Sequence, residues 1–320
     1  MDGIALLEII TPGILASVQD LGRPGLGEIG VAPSGAADSY ACRMGNLLVG
    51  NLESAAVIEV TLMGFQARFR QEAVFAVTGA DMQPTLNGNL LPLWTAVHAA
   101  SGDRLELAAA LCGCRAYLAV GGGFNVPLAM GSRATNVGAG FGGYRGRALR
   151  AGDLLPGCMP EGYLHCAGRS LPETLRAAST SEWVLRALPG PQADQFPQES
   201  RRRFFDTVYT VSDASDRTGV RLEGPTLGSR AGAPASILSE GILCGAVQVP
   251  GDGKPIILMN ETVTGGYRKI AVVIAADLPL LGQLAPGDTV RFQETTMEEA
   301  LALFRGVEAA EDWVRSRFMD

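Results

Sequence analysis

The residues of this chain that could do chemistry on a small molecule sit in glycine-rich loops. Lys254 and Lys269 are its two lysines, both within Ile237 to Lys269, and every other cation is arginine. A lysine there supplies a compact, mobile ammonium in place of a planar guanidinium. Thr264-Gly265-Gly266-Tyr267 runs almost directly into Lys269, so the backbone can approach a ligand with the Tyr267 hydroxyl and the Lys269 ammonium beside it. Elsewhere, Gln19 to Gly25 sets Asp20 and Arg23 among turn formers, and Asp213 to Pro225 carries Asp216, Arg217, Arg221 and Glu223. Cations and acids on such loops suit a planar substrate that gains negative charge on oxygen, as an amide does on becoming an imidate. The cations stabilise that oxygen while an acid takes the amide proton.

Other chemistries have less support. The two histidines, His98 and His165, adjoin no candidate serine, and there is no GxSxG, so a serine triad is not indicated. His98 lies in an apolar run and reads as a core residue. Two-carboxylate hydrolysis would need convergence among Asp20, Glu59, Asp216, Glu240 and Asp252. Cys112, Cys114, Cys158, His165 and Cys166 fit no closed zinc spacing, so no metal site is expected. Gly138 to Gly143 has the form GxGxxG, but the loop continues beyond it, so a dinucleotide fingerprint is rejected. A net charge of −7 argues against a nucleic-acid surface. No apolar run reaches the roughly 18–20 residues needed to cross a bilayer. The start has acids at Asp2 and Glu8 instead of a basic leader, and the expectation is a cytoplasmic protein with reduced cysteines.

The elements that must position these loops are mostly strands. Forty-one glycines and eighteen prolines in short clusters punctuate 320 residues as many short strands would. ILCGAVQV and PIILM, joined through Pro250-Gly251-Asp252-Gly253, read as a hairpin, and Asn87-Gly88 as a two-residue hairpin turn. SYACRMGNLLVG, residues 39–50, reads as a helix capped by Ser34 or Asp38 and closed near Gly50-Asn51. Residues 55–62 read as a strand with Ile58 and Val60 on one face and Glu59 on the other, at an edge or facing a cleft. The tail is a helix opened by a capping box, Thr296 with Glu299, whose stripe of Ala300, Leu303, Phe304 and Val307 packs on a barrel. SGDRLEL at 101–107 echoes PGDTVRF at 286–292, pointing to tandem domains of one fold. Ala167 to Thr180 separates them, giving domains over 1–170 and 181–320.

VQDLGRPG, SGAAD, NLLVGN, VIEVTLMG, YLAVGGGFNVP with GSRAT, SDRTGVRLEGP, SEGILCGAVQVPGDGKPI and TGGYRKI together resemble the family of prokaryotic 5-oxoprolinase C subunits. That family is also called the allophanate hydrolase subunit 2 or biotin-dependent carboxyltransferase family and includes the KipA proteins. The resemblance runs in order from about residue 8 to residue 305. It implies a mainly β protein of two tandem cyclophilin-like β-barrel domains with a few short helices and a C-terminal helix. It implies a KipI-like partner, the B subunit (allophanate hydrolase subunit 1), and a separate lactam hydrolase, the A subunit. Together these open 5-oxoproline to glutamate at the expense of ATP. In urea carboxylases the matching region moves a carboxyl group from carboxybiotin to urea, and KipA-like members antagonise an inhibitor of a kinase.

The resemblance marks Gln19, Asp20, Arg23, Arg133, Arg221, Gln248, Thr264 and Tyr267 as substrate-binding candidates. It marks Arg217 and Lys269 as anion binders, and Asp216 or Glu240 as the acid or base. The alternative for each is a loop tie made through buried ion pairs. The family commonly reads Asp-Arg-Gln-Thr where this chain has Asn260-Glu261-Thr262-Val263, so an acid becomes an amide and a cation an anion. There is no Met-Lys-Met and no GxxxxGK[ST], so biotin would ride on another chain and ATP would be used with a partner.

Overall fold

The computed structural model describes residues 5–157, 162–176, 180–230, 232–233 and 236–319. Cys158 of the zinc set lies outside them, and the described residues contain no cluster able to hold a metal ion. The chain forms two compact units, one of residues 1–23, 34–179 and 309–320, the other of 24–33 and 180–308.

The first unit holds β1 (Ala5–Pro12), β2 (Leu15–Gln19), α1 (Ser39–Leu48), β3 (Val57–Thr61), β4 (Phe65–Phe69), β5 (Ala73–Asp81), β6 (Thr85–Leu86), β7 (Asn89–Leu90), β8 (Ala96–Ala99), β9 (Arg104–Leu107), β10 (Cys112–Val120) and β11 (Leu154–Pro156). Six strands make one sheet in the order β11-β1-β4-β9-β6-β7, and five make a second, β2-β3-β10-β5-β8. Alternation explains how the second sheet serves two cores. Ile58, Val60, Phe75 and Leu118 pack with Ile9, Phe69 and Leu105 of the first sheet. Val57, Val74, Ala76 and Tyr117 face the opposite way, onto Ala41, Met44 and Leu48 of α1. Each fully buried Val, Leu, Ile, Phe or Met among them stabilises by about 1.5–3 kcal/mol. The cap of α1 is Asp38, whose carboxylate accepts from the Ala41 N–H at 2.8 Å.

Two sequence expectations change here. β3 lies between β2 and β10, so Glu59 is neither at an edge nor in a cleft. It is buried and accepts from the Ala37 N–H and the Tyr117 hydroxyl, both at 2.9 Å, with Arg115 3.7 Å away. A polar network satisfies a carboxylate that apolar neighbours could not. His98 is no core residue. It stands on the edge strand β8, exposed, 2.8 Å from Glu72, because its strand alternates a buried face with an open one.

The second unit holds β12 (Glu182–Pro189), α2 (Gln198–Asp206), β13 (Val208–Val211), β14 (Gly219–Glu223), β15 (Glu240–Gly241), β16 (Ala246–Val249), β17 (Ile256–Leu258), β18 (Thr264–Gly265), β19 (Arg268–Val273), α3 (Leu278–Leu281) and β20 (Thr289–Glu294); the last helix, α4 (Met297–Phe318), begins in this unit and from residue 309 belongs to the first. Seven of its strands close into a barrel, β12-β19-β16-β17-β14-β13-β20, sealed by the parallel pair β12 and β20. Closure leaves that barrel without a bare edge. The predicted hairpin is β16 with β17, Val247 opposite Ile257. Phe204 of α2 stacks on Phe292 at 4.3 Å. α4 opens with the predicted box: Thr296 N–H to Glu299 at 3.0 Å and Glu299 N–H to the Thr296 hydroxyl at 3.2 Å. Its stripe is only partly covered, since Ala300 is buried while Phe304 stays 38% exposed.

Candidate functional site

In the second unit the candidate residues gather where β19 begins. β16 pairs with β19 through Gln248 opposite Lys269, just past a register shift between Val247 and Gln248. Such a shift bends a strand and re-aims its side chains. Lys269 is buried, and its ammonium donates to Glu240 of β15. Gln192 completes the arrangement: its amide donates to the same Glu240 oxygen at 3.0 Å and its carbonyl accepts from the Lys269 N–H at 3.1 Å. Glu240 is 44% exposed, and the hydrogen bond from Lys269, then that from Gln192, holds its carboxyl below the usual carboxylate range. Glu240 is therefore an ionised acceptor at neutral pH.

The neighbouring loop is seated closely. The Gln248 amide donates to the Tyr267 carbonyl at 3.3 Å, while the Tyr267 ring is 41% exposed. Thr264 pairs with Gly241, and Gly265 with Glu240. A Cβ at Gly265 would stand 2.5 Å from the Gln248 amide nitrogen, so a side chain there would displace one or the other.

Arg217 comes from the turn between β13 and β14. Asp216 organises that turn, its Oδ1 accepting from the Thr218 N–H at 2.7 Å and the Gly219 N–H at 3.1 Å. Arg217 is buried and donates through Nε to Glu261 at 2.7 Å, with 7% and 10% of the two side chains exposed. Arg221 is exposed on β14, anchored by its N–H to the Ser215 hydroxyl at 3.0 Å. Lys254, the other lysine, pairs instead with exposed Glu223.

The remaining candidates are in the first unit and tie loops together. Asp20 accepts from the Gly22 N–H at 2.7 Å, the Ser132 hydroxyl at 2.6 Å and the Arg133 N–H at 2.5 Å. Arg23 donates to the carbonyls of Ala129, at 3.2 Å, and Ala134, and lies over the Phe141 ring. The Arg133 guanidinium reaches the Val126 carbonyl at 2.9 Å. Gln19 donates to the Ser17 hydroxyl and the Thr135 carbonyl, leaving its buried Oε1 without a hydrogen-bond partner among the described residues. The five carboxylates considered for a hydrolytic pair are each engaged locally; Asp252, for example, accepts from the Lys254 N–H at 3.1 Å.

Gln192 carries no signal in the sequence. Register brings it to the site, because Pro189 pairs with Ala271 and the Gly190 N–H reaches the Ile270 carbonyl. Glu261 is legible only as a departure from the family pattern.

The second unit is a closed seven-stranded barrel with paired cations and carboxylates at its loops and the first is built of two sheets, so the chain is of the mainly β class. Residues 29–294 match the model for the carboxyltransferase domain, subdomain A and B, and the chain belongs to that family. It is 38% identical over 303 residues to the 5-oxoprolinase C subunit of Escherichia coli (strain K12), covering 92% of this chain and 93% of that protein. It is 36% identical to urea amidolyase of Saccharomyces cerevisiae, covering 93% of this chain and 17% of that protein. The solved structure of K. lactis urea amidolyase superposes with a TM-score of 0.90 at 33% identity, over 98% of this chain and 20% of that one. The chain therefore spans about a fifth of the fungal enzymes. No helix among the described residues is long and apolar enough to cross a membrane.

Proposed function

We propose that this chain is the C subunit of a cytoplasmic, ATP-dependent 5-oxoprolinase, activating the lactam amide of 5-oxoproline for hydrolysis to glutamate. The observation that carries this reading is that its similarity to 5-oxoprolinase C subunits spans 93% and 98% of two such relatives. Lys269 and Arg217 are the cations for the substrate's oxygens, one for the lactam oxygen as charge develops and one for the carboxylate. Glu240, ionised and half-exposed, is the base, and Asp216 acts as a positioning residue for Arg217. Gln248, Thr264 and Tyr267 shape the approach, while Gln19, Asp20, Arg23, Arg133 and Arg221 hold or flank the loops.

The glycine-rich loop does not fit a nucleotide. A Cβ at Gly143 would fall 1.8 Å from the Thr135 hydroxyl, so that glycine admits a neighbouring loop and not a phosphate. ATP belongs with the KipI-like and lactam-hydrolase partners, and this chain is inactive without them. The test is ATP-dependent glutamate formation from 5-oxoproline with all three subunits and with each omitted. Turnover that requires this chain supports the reading; a stable complex with no turnover refutes it.

A second reading, carboxyl transfer from carboxybiotin to urea or another small amide, is favoured by the superposition on K. lactis urea amidolyase. It requires a biotinyl carrier on another chain, and carboxylation of urea by this chain with such a carrier would establish it.

A further inference from the structure

Among the described residues, β15 and β18 form a two-stranded ribbon separate from the other sheets. Hydrogen bonds from Ile237 N–H to the Gly266 carbonyl at 2.8 Å and from Ile242 N–H to the Val263 carbonyl at 3.0 Å lengthen it at both ends. Its apolar cover is thin: Leu238 is 92% exposed, Leu243 just beyond it is 75% exposed, and Ile237, Ile242 and Val263 are only partly buried. A segment with so little apolar burial is held by its polar ties and opens at low cost.

Those ties share a feature. At one end Glu240 sits on Lys269, and at the other Glu261 sits on Arg217, helped by the Thr262 hydroxyl donating to the Thr218 carbonyl at 3.1 Å. Both cations are buried in the barrel unit, and both carboxylates ride on the ribbon or the turn that feeds it. Exposed pairs such as Lys254 with Glu223 join surface to surface, whereas these two cover the cations assigned above to the substrate. A carboxylate already seated on each cation satisfies a buried charge that would otherwise be costly. Exchange of one carboxylate for another on Arg217 leaves that charge satisfied throughout.

We propose that Glu261 is an internal stand-in for a substrate carboxylate, and that the ribbon is a latch that lifts when a small carboxylate takes its place on Arg217. Lifting draws Glu240 away from Lys269 and frees both for the reacting amide. The assignment of the two cations rests on the 5-oxoprolinase reading; the latch itself rests on the pairing.

The test uses the full chain as wild type, Glu261→Gln, Glu240→Gln and Arg217→Gln. Hydrogen–deuterium exchange follows residues 237–266, and calorimetry follows binding of L-5-oxoproline and, separately, inorganic phosphate. Removing one charge-assisted tie should raise ribbon exchange in Glu261→Gln and Glu240→Gln and tighten probe binding to Glu261→Gln, each about tenfold. Arg217→Gln should abolish that gain. Tighter phosphate binding without 5-oxoproline binding would support the latch and count against the substrate reading. Unchanged ribbon exchange, or a loosened ribbon with no gain for either probe, would overturn the proposal.

Discussion

Lys269→Met separates chemistry from stability. Methionine keeps the length of the side chain and removes its charge. The partner lost is Glu240, which is 44% exposed and hydrates once released, so no buried charge is stranded. Replacing a buried ion-pair member by an apolar side chain of similar volume is often close to neutral. The Lys269 N–H bond to Gln192 is made by the backbone and survives. A Tm change within about 4 °C follows. On the proposed assignment the reaction loses one positioned donor to the developing oxyanion, an expected loss of about 10²–10³ in kcat. The assay is kcat/KM for ATP-dependent glutamate formation by the assembled complex, with a thermal melt of each variant. Activity within about threefold of wild type, or a fall matched by loss of folding or assembly, would refute the assignment.

Arg217→Ala should behave differently, because it strands Glu261 with 10% of its side chain exposed: a loss of about 3–5 kcal/mol is expected in denaturant melts, and Arg217→Ala/Glu261→Gln should recover part of it. Tyr117→Phe deletes a hydroxyl that donates to Glu59 and accepts from the Asp38 N–H at 2.7 Å, costing about 1–3 kcal/mol by the same melts with no direct effect on Lys269. Acid should loosen the ribbon: the Glu240 carboxyl titrates below its ordinary 4.5, so the tie to Lys269 is fully present above pH 4.5 and is lost as pH falls through the lower folded value. An NMR titration of the Ile242 amide checks this, and a midpoint at or above 4.5 would contradict it.

Local signals in the sequence carried far. Asp38, the Thr296 and Glu299 box, and the hairpin of β16 with β17 are decided by neighbours in the chain, and each forms as its residues dictate. Tertiary partners were not legible. His98 reads as apolar core from its neighbours, yet its exposure follows from β8 lying at a sheet edge, a property of strand order. Glu59 reads as a misfit in an apolar strand until Tyr117, 58 residues on, supplies its donor. Gln192 becomes a clamp only through the register of β12 against β19. The sign reversal at Glu261 was visible, but its meaning depended on Arg217, 44 residues away, meeting it across a turn.

That pairing bears on the choice between the two amide readings. Urea is neutral and brings no anion to exchange for Glu261, so opening Arg217 to urea would strand the largely buried Glu261 carboxylate. A carboxylate-bearing lactam replaces Glu261 one for one and keeps the guanidinium paired at every stage. Under the proposed latch, Glu261 is a filter for substrate charge that favours the anionic lactam over the neutral amide. Glu261→Gln weakens the filter without removing the cation, so it should narrow the difference in affinity between the two substrates while Lys269, the proposed donor to the amide oxygen, is unchanged.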